Sequence, residues 1–96
     1  MSLSVVAHIT ALADKVEEAK ALLTSLTGPT RQEAGCIRYE LHQNNENPRD
    51  LTFIEEWESE ADLEAHLKTP HIRAAFEKMP EVVAGSPDIR KYRLVG

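Results

Sequence analysis

The sequence predicts a ferredoxin-like α+β fold, a single domain over residues 1–96 in which four antiparallel strands carry helices on one face. Three observations lead there. Three stretches alternate apolar and polar residues with a period of two, at Leu3–Ala11, Ile37–His42 and Leu51–Trp57. Apolar residues recur at helical spacing after the first stretch and again after the third. The resulting order of strand, helix, strand, strand, helices, strand is that of the split βαβ motif.

In the first strand Leu3, Val5, Ala7, Ile9 and Ala11 share one face. Asp14, with Glu17 three residues on, reads as a capping box for a helix whose apolar side is Val16, Ala19, Leu23 and Leu26. Gly28 and Pro29 end or kink that helix, because proline lacks an amide proton and clashes with the preceding turn. Thr30 to Glu33 reads as a resumed turn, and Gly35 suits a left-handed residue beyond a helix end. In the second strand Ile37, Tyr39 and Leu41 oppose Arg38, Glu40 and His42, and Asn44 to Asp50 is dense in turn formers. Leu51, Phe53, Glu55 and Trp57 share one face of the third strand, with Ile54 on the other. Ser59 caps the next helix, with Asp62 at its third position and Leu63 and Leu67 inward. Thr69–Pro70 restarts a helix with Ile72, Ala75, Phe76 and Met79 on its apolar side. After Gly85 and Pro87, residues 89–95 read as the last strand. The sheet face away from the helices would carry Val6, Ile54, Tyr92 and Leu94, an apolar set expected to pack on a second subunit.

Composition narrows the function classes. The chain is 42% hydrophobic and 28% charged, values ordinary for a globular domain. A formal charge of −5 with scattered basic residues argues against a nucleic-acid partner. No apolar run approaches the roughly 20 residues that span a bilayer, so no membrane partner is expected. With a lone cysteine, Cys36, and no signal-peptide pattern, the expected location is cytoplasmic.

Three segments carry a family likeness: Gly35-Cys36-x-x-Tyr39-Glu40-x-His42, Glu55-x-Trp57-Glu58-Ser59 and Glu64-Ala65-His66-Leu67-x-Thr69-Pro70-His71. Together they resemble the antibiotic biosynthesis monooxygenase domain family, with small bacterial quinol monooxygenases as the most similar branch. The resemblance implies a dimeric α/β barrel with one pocket per subunit. For several members it also implies oxygenation of a hydroquinone or phenolic aromatic by O₂ without flavin, haem or metal. The family also contains haem-degrading enzymes, an isomerase of a phosphorylated sugar and members without known activity, so fold transfers further than reaction. By the resemblance, Phe76 stands where the haem-degrading branch has its axial histidine, and Ala7 at or near that branch's asparagine. Leu63 stands where the aromatic polyketide oxygenases have a tyrosine.

Oxygenation without a cofactor requires a substrate that is itself a reductant; the protein supplies a base, a dry pocket and orientation. His66 is the candidate base, since a neutral imidazole accepts a proton near neutral pH; the competing reading is a helix histidine bonded to the sheet. Glu55 is its candidate carboxylate partner, or else one side of a structural ion pair. Trp57 is either an aromatic wall of the site or core. Phe53, Tyr39, Leu63, His71 and Phe76 are candidate substrate contacts, with His71 at a helix start that favours anions. Glu55, His66 and His71 lack a recognised metal-ligand spacing, so no metal is expected there, and the resemblance implies no other cofactor. His8 and His42 read as surface or interface residues and Cys36 as a small buried residue. Arg73 and Arg90 are the basic residues that a phosphorylated substrate would need nearby.

Overall fold

The computed structural model describes residues 2–96. Its elements are β1 (Leu3–Ala11), α1 (Val16–Thr24), α2 (Thr27–Arg31), β2 (Cys36–Gln43), β3 (Asp50–Trp57), α3 (Glu60–Leu67), α4 (Pro70–Lys78), a 3-10 turn (Met79–Glu81) and β4 (Val83–Tyr92). The strands form one antiparallel sheet in the order β2-β3-β1-β4, the ferredoxin-like arrangement. Both crossovers place their helices on the same face. Val5, Ala7, Ile9 and Ala11 of β1 and Leu51, Phe53 and Trp57 of β3 are buried there, as strict alternation requires. Ala19, Leu23, Leu63, Ile72 and Ala75 meet them from the helices.

Local signals explain most of the boundaries. The Ser59 hydroxyl accepts the Asp62 amide at 3.2 Å and so starts α3. Thr69 is the extended N-cap residue of α4, with Pro70 at its first position. Gly35 has φ +80°, and a Cβ there would stand 2.2 Å from Asp62 Oδ2, so both conformation and space demand glycine.

Four features differ from the sequence reading. Asp14 does not cap α1; Lys15 occupies the N-cap position without a side-chain bond. The Gly28–Pro29 break lies inside a short second helix, because Pro29 sits in its first turn, where its missing amide costs nothing. Ile37 does not join the inner face of β2. The register between β2 and β3 shifts by one between Cys36 and Arg38, leaving Ile37 as the bulged residue with 53% exposure. The last strand starts at Val83 and stops at Tyr92. Its register against β1 shifts between Thr10 and His8, and this irregularity on an edge strand accommodates Gly85 and Pro87.

The sheet face away from the helices is mixed rather than broadly apolar. Val6 and Ile54 are half-buried, Tyr92 is 48% exposed, and Leu94 lies beyond β4. Around them run the pairs Arg38–Glu40 at 2.9 Å, Arg90–Asp88 at 3.2 Å and His8–Thr52 at 2.8 Å.

Candidate active site

A narrow pocket opens between the inner sheet face and the pair α3–α4, with a cavity of about 40 Å³ at its base. Its floor is Val5, Ala7 and Ile9 of β1 with Phe53 of β3. Leu67, Phe76 and Ile89, each more than a third exposed, stand at its edge. Among the described residues that line it, the polar side chains are Tyr39, Glu55 and His66. An apolar cavity with a few convergent polar groups is the usual form of a small-molecule site.

His66 reaches this pocket from the last turn of α3, one turn after Leu63, and is 2% exposed. Its ring packs between the indole of Trp57, 4.7 Å away between centroids, and the edge of Tyr39 at 5.3 Å. Its Nδ1 lies 2.9 Å from Oε2 of Glu33 and 3.1 Å from Oε1. A carboxylate can only accept, so with Glu33 ionised Nδ1 carries the proton and Nε2 keeps its lone pair. No side chain among the described residues bonds to Nε2. Burial lowers the His66 pKa below the ordinary imidazole value, while the bond to and charge of Glu33 act in the opposite sense.

Glu33 follows α2, in the turn that Gly35 closes. It also takes His71, the second residue of α4, whose Nε2 is 2.6 Å from Oε2. The hydroxyls of Thr30 and Thr69 lie 3.4 and 3.3 Å from the same His71 nitrogen. One carboxylate thus bridges a histidine facing the pocket and a histidine facing the outer surface.

Glu55 is 6% exposed and accepts the Trp57 indole N–H at 2.9 Å. Burial, partly offset by that bond and reinforced by the Glu33 charge, raises its pKa to about 7. A carboxyl raised this far can serve as donor or acceptor near neutral pH. Burial also pushes the Tyr39 phenol well above its ordinary range, with Glu55 adding to the effect, so Tyr39 faces the pocket as a neutral hydroxyl. The Cys36 thiol is raised, chiefly by burial and then by Glu33, which keeps it from being a thiolate.

Of the sequence candidates, His66, Glu55, Tyr39, Phe53, Leu63 and Phe76 come together as pocket lining. The expected Glu55–His66 pairing does not form: Glu55 points its carboxylate at the neighbouring indole on its own strand, and His66 is held by Glu33. Trp57 is fully buried behind His66 and Tyr39 and is not among the lining residues, so it supports the wall rather than forming it. His71 does not line this pocket; it borders a separate groove with Leu22, Ser25 and Lys78. Among the described residues no lysine or arginine lines the pocket, and Arg90 pairs with Asp88 on the other sheet face. Glu33 and Thr30 were missed. The available signal was the Thr30–Glu33 turn just before Gly35, but its partner lies 33 residues away and no local spacing links the two.

A ferredoxin-like sheet with an apolar, histidine-bearing pocket under its helices defines an α+β domain of the ferredoxin-like class. A family profile described as antibiotic biosynthesis monooxygenase matches residues 2–78. The chain belongs to this antibiotic biosynthesis monooxygenase domain family. Among curated proteins it is 33% identical over 81 residues to the uncharacterized protein sll1783 of Synechocystis, covering 84% of this chain and 55% of that one. It is 57% identical over 30 residues to the probable quinol monooxygenase YgiN of Escherichia coli, covering 31% of this chain and 29% of YgiN. The chain thus spans about half, or less, of the curated relatives it matches. Among solved structures, protein SO0527 from Shewanella oneidensis superimposes with a TM-score of 0.89 at 37% identity, over 95% of this chain and 88% of that one. Rv0793 from Mycobacterium tuberculosis gives 0.92 at 23% identity over 100% and 97%, a likeness of fold.

Proposed function

We propose that the protein is a cofactor-independent monooxygenase of a reduced quinone or a similar phenolic aromatic, with the substrate as its own reductant for O₂. The observation that carries this reading is the His66 imidazole. It is buried in the lining of an apolar pocket, fixed through Nδ1 by Glu33, with no side-chain partner on Nε2 among the described residues. The short match to a probable quinol monooxygenase points to the same chemistry.

In this mechanism a hydroquinone enters past Phe76 and Leu67, its rings against Phe53 and Tyr39. Nε2 of His66 takes a hydroxyl proton, and Glu33 stabilises the imidazolium formed, as a carboxylate does for a histidine base. The resulting anion passes one electron to O₂, and the radical pair combines to a hydroperoxide. Loss of water then leaves a hydroxylated quinone: hydroquinone plus O₂ gives hydroxyquinone plus H₂O, with no outside reductant. Glu55, whose carboxyl pKa is raised to about 7 by burial, donates a hydrogen bond in its protonated form to the second substrate oxygen. Glu33 is a positioning residue here, since it acts through His66.

Pairing of two sheets through Val6, Ile54 and Tyr92 completes the reading as a homodimer. An apolar centre with a charged rim is the usual anatomy of an interface. Sedimentation at micromolar concentration tests this, and a stable monomer contradicts it. A second reading, a pocket that binds an aromatic without turnover, is favoured by the full burial of Trp57. Thermal stabilisation by a naphthol with no oxygen uptake from any reduced naphthoquinone would select it. An isomerase of a phosphorylated substrate is disfavoured by the absence of lining cations among the described residues.

A further inference from the structure

Glu33, His66 and His71 come from three different segments: the turn after α2, the end of α3 and the start of α4. One potential ligand atom from each lies within 4.8 Å of the other two. The separations to Glu33 Oε2 are 2.9 Å for His66 Nδ1 and 2.6 Å for His71 Nε2. We propose that these three residues form a binding site for one divalent transition-metal ion of the zinc type.

The donor set fits. Two imidazoles and one carboxylate suit zinc, cobalt, nickel or copper, whereas calcium and magnesium call for oxygen donors. Bonds of about 2.0–2.2 Å to nitrogen and oxygen place neighbouring ligand atoms about 3.3 Å apart, so the 2.9 and 2.6 Å contacts to Glu33 widen and the two histidine nitrogens, within 4.8 Å of each other, draw together by side-chain rotation. His66 and Glu33 side chains are 3% and 14% exposed, and His71, at 25%, provides an entry from the surface groove. Three protein ligands leave a position for water, next to the Thr30 and Thr69 hydroxyls.

The proton balance gives the site a consequence. Without metal, the proton of each neutral imidazole sits on the nitrogen facing Glu33. With metal, that nitrogen donates its lone pair to the ion and the proton moves to the other ring nitrogen. For His66 this puts N–H on Nε2, turning the pocket's proton acceptor into a donor. On the oxygenase reading above, zinc is therefore an inhibitor; the binding itself does not depend on that reading.

The test is titration of the full-length protein with Co²⁺, read by its visible d–d absorption, followed by Zn²⁺ displacement. The expected result is one Co²⁺ per chain, with affinity reduced at least about tenfold in His71→Ala and in Glu33→Gln. His8→Ala and His42→Ala, which alter surface histidines beside Asp50 and Glu40, leave it unchanged. Should either site variant fail to fold, imidazole resonances of the unaltered protein decide: Zn²⁺ shifts those of His66 and His71 first. No stoichiometric binding, or binding that survives His71→Ala, or shifts confined to His8 and His42, overturns the proposal.

Discussion

His66 and Glu33, 33 residues apart in sequence, meet at 2.9 Å beneath the helices, and that contact decides which imidazole nitrogen carries the proton. A histidine held this way is more than a helix residue filling space, because the carboxylate fixes both ring orientation and tautomer. The cluster is rigid on three sides: Thr69 Oγ1 donates to the His66 carbonyl at 2.8 Å, Arg31 Nε to the Tyr39 carbonyl at 3.1 Å, and Gly35 closes the turn after Glu33.

If Glu33 acts through His66, Glu33→Gln lowers turnover of a reduced quinone by about 10- to 100-fold, because the amide no longer favours the imidazolium or enforces one tautomer. The split between constants is diagnostic: kcat falls while KM changes little, since Glu33 does not line the pocket. Steady-state oxygen electrode assays read both. A rise in KM alone would assign Glu33 to binding.

Glu55 ties stability to pH with a definite sign. Its folded pKa of about 7 is above the ordinary carboxyl value of 4.5, so the native state is favoured at low pH and loses stability as pH rises through 7. Glu55→Gln keeps an oxygen for the Trp57 indole and removes the buried charge. Its melting temperature should exceed that of the unaltered protein at pH 8.5 by several degrees, on a scale of about 4–8 °C per kcal/mol, and approach it at pH 5. Thermal melts at the two pH values check this; an equal difference at both would place the Glu55 carboxyl outside the transition.

Gly35→Ala should destabilise the fold by about 2 kcal/mol or more. The added methyl meets Asp62 from Oδ2 to Cβ, and φ +80° is itself strained for alanine. Denaturant unfolding measures the loss. Because Gly35 positions the turn that carries Glu33, the variant should also lose oxygenase turnover under conditions where circular dichroism shows it folded.

Removing the Ser59 hydroxyl tests the α3 cap separately. Ser59→Ala should cost about 1 kcal/mol, since it releases the Asp62 amide. A loss near zero in chemical denaturation would mean that water replaces the cap fully.

Much of this arrangement is legible in the chain itself. Alternation at Val5, Ala7 and Ile9 and at Leu51, Phe53 and Trp57 reports the inner sheet face, and Ser59 and Pro70 report two helix starts, because each is a local steric or hydrogen-bonding effect. Ile37 and the start of β4 were not legible, since a bulge is set by the pairing of two strands rather than by either alone. The same distinction holds at the site. His66, Tyr39 and Glu55 follow from position on their own elements, whereas the choice of Glu33 over Glu55 as partner depends on how the turn after α2 folds against α3. Family likeness conveyed the pocket; only the assembled structure conveyed its carboxylate.

The most direct test of the proposed chemistry is oxygen consumption with a chemically reduced naphthoquinone, corrected for autoxidation, for the unaltered protein and for His66→Ala in parallel with a chelator present. The account predicts protein-dependent uptake of one O₂ per hydroxyquinone formed, lowered by about 10²- to 10⁴-fold in the variant, the usual range for loss of a general base. Uptake no faster than the blank, or His66→Ala equal to the unaltered protein, would contradict it.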